Sequence, residues 1–302
     1  MMSFRTDAIG FRRGAGSRRL ADFLALTKPR LVPMVLVATA TGFYLASRGG
    51  PDLLRLLHTL LGTALATGGT LALNQVAEED VDARMERTRL RPLPDGRLTR
   101  SDALIFGAAL SLAGVLYLAA LVNPLSGFLT ALAGAWYLLL YTPLKRVTSL
   151  NSVVGAVPGA LPPVIGWAAS AGGLALEAFV LFAILFLWQI PHALAIATLY
   201  KEDFARAGIR LLPVEEPDGK STGRQVVSHC LALLPAGMMP TLIGLAGPVY
   251  FFVSLALGLG FLLCGIHLAK ERSSAAARRL FFASLAYLPL VLLAMALNPG
   301  GP

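Results

Sequence analysis

Along almost the whole chain, apolar residues run in blocks of about twenty, separated by short segments that collect nearly all of the charge. The blocks lie near Arg30 to Ser47, Leu53 to Val76, Ala103 to Leu121 and Pro124 to Tyr141, then Leu150 to Ser170, Leu176 to Tyr200, Gln225 to Leu245, Pro248 to Leu268 and Arg279 to Leu297. At about 1.5 Å per residue, a helix of that length crosses the roughly 30 Å hydrocarbon core of a bilayer. The blocks are continuous instead of alternating, so each is expected to span as a helix that satisfies its own backbone, not as a barrel strand. The pattern predicts an all-α polytopic membrane protein: a bundle of nine transmembrane helices over 30–302 in one domain, behind a basic segment 1–29.

Composition strengthens this picture. Of 302 residues, 56% are hydrophobic and only 14% charged, and the mean hydropathy is +0.67. The net charge of +9 would suit nucleic acid if it were gathered on one face, but the cations follow the spans instead. Arg5, Arg12, Arg13, Arg18, Arg19 and Lys28 precede the first block; Arg84 to Arg100, Lys145 with Arg146, Lys201 to Arg224 and Lys270 to Arg279 fill alternate loops. The intervening loops hold few cations besides Arg48 and Arg55. By the positive-inside rule the N-terminus and the basic loops are expected in the cytoplasm and the C-terminus on the opposite side. The partner implied is a lipid bilayer, the cytoplasmic (inner) membrane, and not nucleic acid. Asp7 and Asp22 within the arginine-rich start argue for an orienting flank over an organellar transit peptide, and no small-residue cleavage site follows a short apolar core. Cys230 and Cys264 sit singly in spans, without metal or redox spacing.

The densest charge follows the second block, from Asn74 to Pro92. If the helix continues, Asn74, Glu78 and Asp82 recur every four residues on one face about 12 Å long. Neighbouring carboxylates repel unless a cation lies between them, and Mg2+ shared with substrate phosphates would turn the repulsion into a site. The plain alternative is a solvated, charged helix end. A second charged loop, Tyr200 to Pro213 with Glu202, Asp203, Arg206 and Arg210, lies four spans later and hints at an internal duplication. Within the spans, Gly155, Pro158, Gly159, Pro162, Pro163 and Gly166 crowd the fifth, and Trp188, Gln189, Pro191 and His192 sit midway along the sixth. Irregular or polar positions at such depth are tolerated where they face protein or a cavity, as packed kinks or as a site. A cytoplasm-facing cavity with acids, cations and apolar walls suits a polyprenyl diphosphate. Arg87, Arg91, Lys145 and Arg146 are the candidates to meet its oxygens.

Asn74-x-x-x-Glu78-x-Asp80-x-Asp82, followed by Met85-x-Arg87-Thr88-x-x-Arg91-Pro92, resembles the first signature of the intramembrane aromatic prenyltransferase superfamily (UbiA type). Three further segments resemble its protohaem IX farnesyltransferase family. They are Tyr141-Thr142-x-Leu144-Lys145-Arg146-x-Thr148-x-x-Asn151, Trp188-Gln189-x-Pro191-His192, and Tyr200-x-x-Asp203-x-x-x-Ala207-Gly208-Ile209-x-x-Leu212-Pro213. The likeness runs from Thr27-Lys28-Pro29-Arg30 to the last helices. It implies a nine-helix bundle that joins farnesyl, from farnesyl diphosphate, to a vinyl group of haem b with addition of water. Haem O results, for terminal oxidases; haem A synthase or terminal-oxidase assembly factors are the implied protein partners. By the same resemblance Asn74, Glu78, Asp82 and Asp203 are catalytic, with Glu78, Asp82 and Asp203 holding the cofactor Mg2+.

The chain departs from the superfamily pattern twice. Glu78 stands where Asp is usual, and Leu199 replaces the first acid of the fuller Asp-x-x-x-Asp second motif. Asp80 would point about 200° away from Glu78 on a regular helix. His192 is the candidate to touch haem iron or a propionate; a buried, hydrogen-bonded histidine is the alternative. His58, His229 and His267 lie near span ends, as interfacial residues. Two other functions remain open at this level: the same fold acting on a quinone precursor or other aromatic ring, and a transporter whose acids line an ion path.

Overall fold

The computed structural model describes residues 15–48 and 50–300; Arg5, Asp7, Arg12 and Arg13 of the expected flank lie outside them. Among the described residues the fold is helical apart from an isolated antiparallel bridge between Ala246 and Pro299. In chain order the helices begin with α1 (Ala15–Leu26), α2 (Val32–Ala46), α3 (Leu53–Ala77), α4 (Glu79–Asp82), α5 (Arg100–Leu121) and α6 (Pro124–Ala135). A π-helix (Trp136–Tyr141) leads into α7 (Thr142–Leu144), α8 (Asn151–Ala160), α9 (Pro162–Ala171), α10 (Leu176–Leu199), α11 (Lys201–Arg206) and α12 (Leu212–Glu215). The chain closes with α13 (Lys220–Leu242), α14 (Pro248–Glu271) and α15 (Ser274–Leu297).

Eight of these stretches are long and apolar enough to cross a bilayer, counting 124–144 and 151–171 as one each. α2 is a shorter apolar helix of 15 residues, about 22 Å long. It starts later than the apolar block because Lys28 holds a left-handed backbone (φ 51°) directly before Pro29, turning the chain between α1 and α2. The fifth block is broken at Leu161, where Pro162 and Pro163 remove consecutive amide donors. Outward-facing Leu57, Ile105, Leu116, Phe252 and Leu263 are exposed, as side chains meeting lipid should be.

Small residues set the closest helix crossings, as they do when apolar lipid leaves packing to drive association. Gly42 and Gly166 let α2 and α9 touch backbone to backbone: a Cβ on Gly166 would fall 1.9 Å from the Thr39 carbonyl oxygen, and one on Gly42 2.0 Å from that of Pro163. Gly166→Ala is therefore expected to destabilise by about 1–3 kcal/mol or more, because neither neighbour can swing aside. Gly260→Ala, with nothing within 4 Å of its new methyl, should leave thermal unfolding in detergent unchanged or raised. Equal melting of the two variants would refute the close-packing argument.

Following the helices up and down, the charged segments 78–100, 145–150, 200–220 and 271–274 all fall at one end of the bundle. There the first and second charged loops meet: Val81 and Met85 pack with Ala207 and Ile209 into a small apolar cap.

Candidate active site

The α3 helix stops at Ala77, and Glu78 leaves helical geometry (φ −110°, ψ 16°). The four-residue register nevertheless continues, since Glu78 N–H donates to the Asn74 carbonyl (3.0 Å) and Asp82 N–H to that of Glu78 (2.8 Å). Asn74, Glu78 and Asp82 thus share one wall of a chamber of about 290 Å³ beneath the cap. Each is buried and engaged. Asn74 Nδ2 donates to Thr142 Oγ1 (3.1 Å), Lys145 Nζ to Glu78 Oε1 (2.7 Å), and Arg91 Nη1 to Asp82 Oδ2 (2.6 Å). These bonds leave Glu78 Oε2 and Asp82 Oδ1 without a protein donor among the described residues.

The chamber wall carries four cationic side chains, Lys28, Arg87, Arg91 and Lys145, against two anionic ones, Glu78 and Asp82. The Arg87 guanidinium lies over the Tyr200 and Phe204 rings (5.6 and 6.0 Å), and burial together with Arg91 lowers its pKa from the usual arginine range. Burial also opposes the charge on Lys145, but the Tyr141 and Tyr137 hydroxyls and the Glu78 carboxylate outweigh it, holding the ammonium above the ordinary lysine range. Its Nζ lies 4.4 Å from the Tyr141 ring centroid. The chamber is built to take a polyanion.

Lys28 was legible only as a topological charge, yet its turn carries it into the chamber wall. Burial, with Arg91 and Lys145 nearby, pushes its pKa down to about 7. The sign follows directly. Below about pH 7 Lys28 is charged and attracts a polyanion, and that attraction fades as pH rises through its pKa. Relative to Lys28→Met, the affinity of the unaltered protein for inorganic diphosphate is expected to fall over that interval, measured by titration at fixed ionic strength. Parallel pH profiles would exclude Lys28 from binding.

Other expected site residues lie elsewhere. Arg146, next to Lys145, lies on an outer groove instead and pairs with Asp80 (2.5 Å); its hydrogen bond holds that carboxyl below its usual range although burial opposes it. Asp203 is outside the chamber lining. Burial would raise its pKa, but Arg206 and the nearby backbone N–H groups of Glu86 and Arg87 lower it further, which puts Asp203 beside the loop that presents Arg87.

Beneath the polar chamber lies an apolar one of about 380 Å³, floored toward Thr63, Thr130 and Ile165. The two chambers share Tyr137, Tyr141, Gly155, Gln189 and His192, which ring their junction. Tyr137 and Tyr141, four residues apart within the π-helix, face the same side, with centroids 5.1 Å apart; such helices recur at functional sites. The spacing of these two tyrosines was the signal available in the sequence. His192 stacks on Trp188 (4.9 Å) and Phe281 (5.4 Å), and its Nδ1 lies 2.6 Å from Ser284 Oγ.

Among the described residues no three His, Cys, Asp or Glu side chains gather into a group that would hold a metal unaided. The Asn74 amide oxygen and the free oxygens of Glu78 and Asp82 do fit a hard divalent cation that completes its shell with substrate phosphate and water.

Comparison with known proteins agrees with this architecture. The UbiA prenyltransferase family model matches residues 35–287. A protoheme IX farnesyltransferase of Solibacter usitatus is 49% identical over 291 residues, covering 93% of this chain and 100% of that protein. A solved digeranylgeranylglyceryl phosphate synthase superposes with a TM-score of 0.79 at 16% identity, over 93% of this chain and 98% of its own. A UbiA homologue from Archaeoglobus fulgidus bound to GPP and Mg2+ does so with a TM-score of 0.65 at 17% identity, over 91% and 99%.

Proposed function

The chain belongs to the UbiA prenyltransferase family, and we propose that it transfers farnesyl from farnesyl diphosphate to a vinyl group of protohaem IX, haem b, with addition of water, giving haem O. The observation that carries this reading is the pair of adjoining chambers: a polar one lined by cations and oxygen donors shares the wall of Tyr137, Tyr141, Gly155, Gln189 and His192 with an apolar one. A diphosphate fits the first and an isoprenoid tail the second, which puts the bond between them at the junction.

Arg87, Arg91, Lys145 and Lys28 bind the diphosphate oxygens. Asn74, Glu78 and Asp82 hold Mg2+, which, when bound, neutralises charge building on the leaving group. Asp203 keeps the Arg87 loop in place, and the apolar cap over the chamber limits bulk water, which would otherwise quench an allylic cation. The Tyr137 and Tyr141 rings wall the junction where that cation forms. The acceptor enters where His192 and Gln189 stand.

The bundle is a multi-pass membrane protein, with the charged end proposed to face the cytoplasm and the C-terminus the other side of the cell's inner membrane. Terminal-oxidase assembly factors or haem A synthase are the proposed recipients of the product. The test is incubation of the detergent-purified protein with haem b, farnesyl diphosphate and Mg2+, followed by chromatography and mass spectrometry. A haem gaining farnesyl plus water supports the reaction. If haem returns unchanged while another aromatic acceptor is prenylated, the acceptor assignment falls and the prenyl transfer stands.

A further inference from the structure

Water must be kept out until the carbon–carbon bond forms, and one water must then be used. Gln189 and His192, one turn apart on α10, are the neutral polar side chains of α10 at the chamber junction. Their hydrogen bonds fix what each offers. Gln189 Nε2 donates to the Leu185 carbonyl (3.2 Å) and toward that of Ala156 (3.4 Å), so the amide oxygen is the atom left over. It lies against Gly159, where a Cβ would stand 2.0 Å from Oε1. Ser284 Oγ spends its hydrogen on the Phe281 carbonyl (2.6 Å), so toward His192 it accepts, and Nδ1 carries the proton. His192 Nε2 is therefore a bare lone pair.

We propose that Gln189 and His192 hold and deprotonate the water that ends the reaction. A water donating both hydrogens, one to Oε1 and one to Nε2, turns its oxygen lone pairs toward an electrophile. The proposal rests on the farnesyl-to-vinyl reading above, and its steps balance. The farnesyl C1–oxygen bond breaks and the electron pair leaves with diphosphate. C1 then bonds to the terminal vinyl carbon, which leaves the positive charge on the inner vinyl carbon beside the porphyrin ring. The water oxygen bonds to that carbon, and its proton passes to His192 Nε2. Without an aligned water, the cation loses a proton from the neighbouring methylene and becomes an alkene, lighter by one water. An axial bond from Nε2 to iron is the competing use of the same lone pair. It would place the centre of the macrocycle at the junction, whereas the reacting vinyl group lies on its rim.

The experiment measures the ratio of hydrated to dehydrated farnesyl-haem by mass spectrometry for Gln189→Leu, Gly159→Ala and His192→Phe, the last keeping the stack on Trp188 and Phe281. Each is expected to shift the ratio toward the alkene by about tenfold or more, as loss of a general base or its partner should. Ser284→Ala, which frees the imidazole to change tautomer, should shift it less, and Ser284→Thr should restore it. An unchanged ratio in Gln189→Leu and His192→Phe overturns the proposal. So does a His192→Phe protein that loses the Soret signature of a histidine-ligated haem and yields neither product. Wild-type protein that makes no farnesyl-haem of either mass sinks the haem reading itself, a distinguishable failure.

Discussion

Asp82→Asn is expected to lower farnesyl transfer about a hundred- to a thousandfold, while haem binding, read as a Soret shift, survives. The substitution keeps shape and removes charge. Asp82 is 1% exposed and bonded to Arg91, so asparagine leaves the Arg91 guanidinium without its counter-ion and removes an anionic ligand from the oxygen set facing the diphosphate. Loss of one fixed group that stabilises developing charge commonly costs about 10²–10³ in turnover. The loop itself should hold, because Thr88 Oγ1 bonds the Asp82 main-chain oxygen (2.8 Å), which asparagine retains. Charge on the leaving group grows in the transition state, so the fall should appear mainly in kcat, with KM for farnesyl diphosphate changing less. Full activity in this variant would remove Asp82 from the chemistry.

The acid wall was legible because spacing by four survives even where the helix does not. The backbone bends at Glu78, but the bonds from Glu78 to Asn74 and from Asp82 to Glu78 keep the three side chains in line. The break in the fifth span was legible as Pro162 and Pro163. What sequence could not give was phase. The π-helix inserts an extra residue per turn just before Lys145 and Arg146, and this decides which of two adjacent cations enters the chamber. Lys28 looked like an orienting charge because its role depends on a left-handed turn before Pro29. The tautomer of His192 depends on Ser284, 92 residues away in sequence. Asp203 was legible as an acid beside arginines, but its approach to the main chain of Glu86 and Arg87 needed three dimensions. Local periodicity is written along the chain, whereas facing, tautomer and loop bracing are set by contacts between distant segments.

The neighbouring cations give the sharpest comparison. Lys145→Met should reduce turnover by about a hundredfold, and Arg146→Met by less than about threefold. Lys145 holds Glu78 at 2.7 Å with both side chains largely buried, and its ammonium stands over Tyr141. Methionine fills the same space but leaves the Glu78 charge without a partner, and breaking a buried pair in this way costs about 3–5 kcal/mol. It also removes a diphosphate contact that strengthens as the allylic bond breaks. The fold should persist, since the Lys145 main-chain oxygen still accepts from Arg210 N–H (2.8 Å). Lys145→Arg should restore little, because the larger guanidinium does not fit the buried space in which the compact ammonium meets Glu78. Arg146 and Asp80 are about half exposed, and a surface pair of that kind contributes about 0–1 kcal/mol. Initial rates at saturating farnesyl diphosphate would settle it: equal losses at both positions would mean that the outer groove, and not the chamber alone, handles the diphosphate.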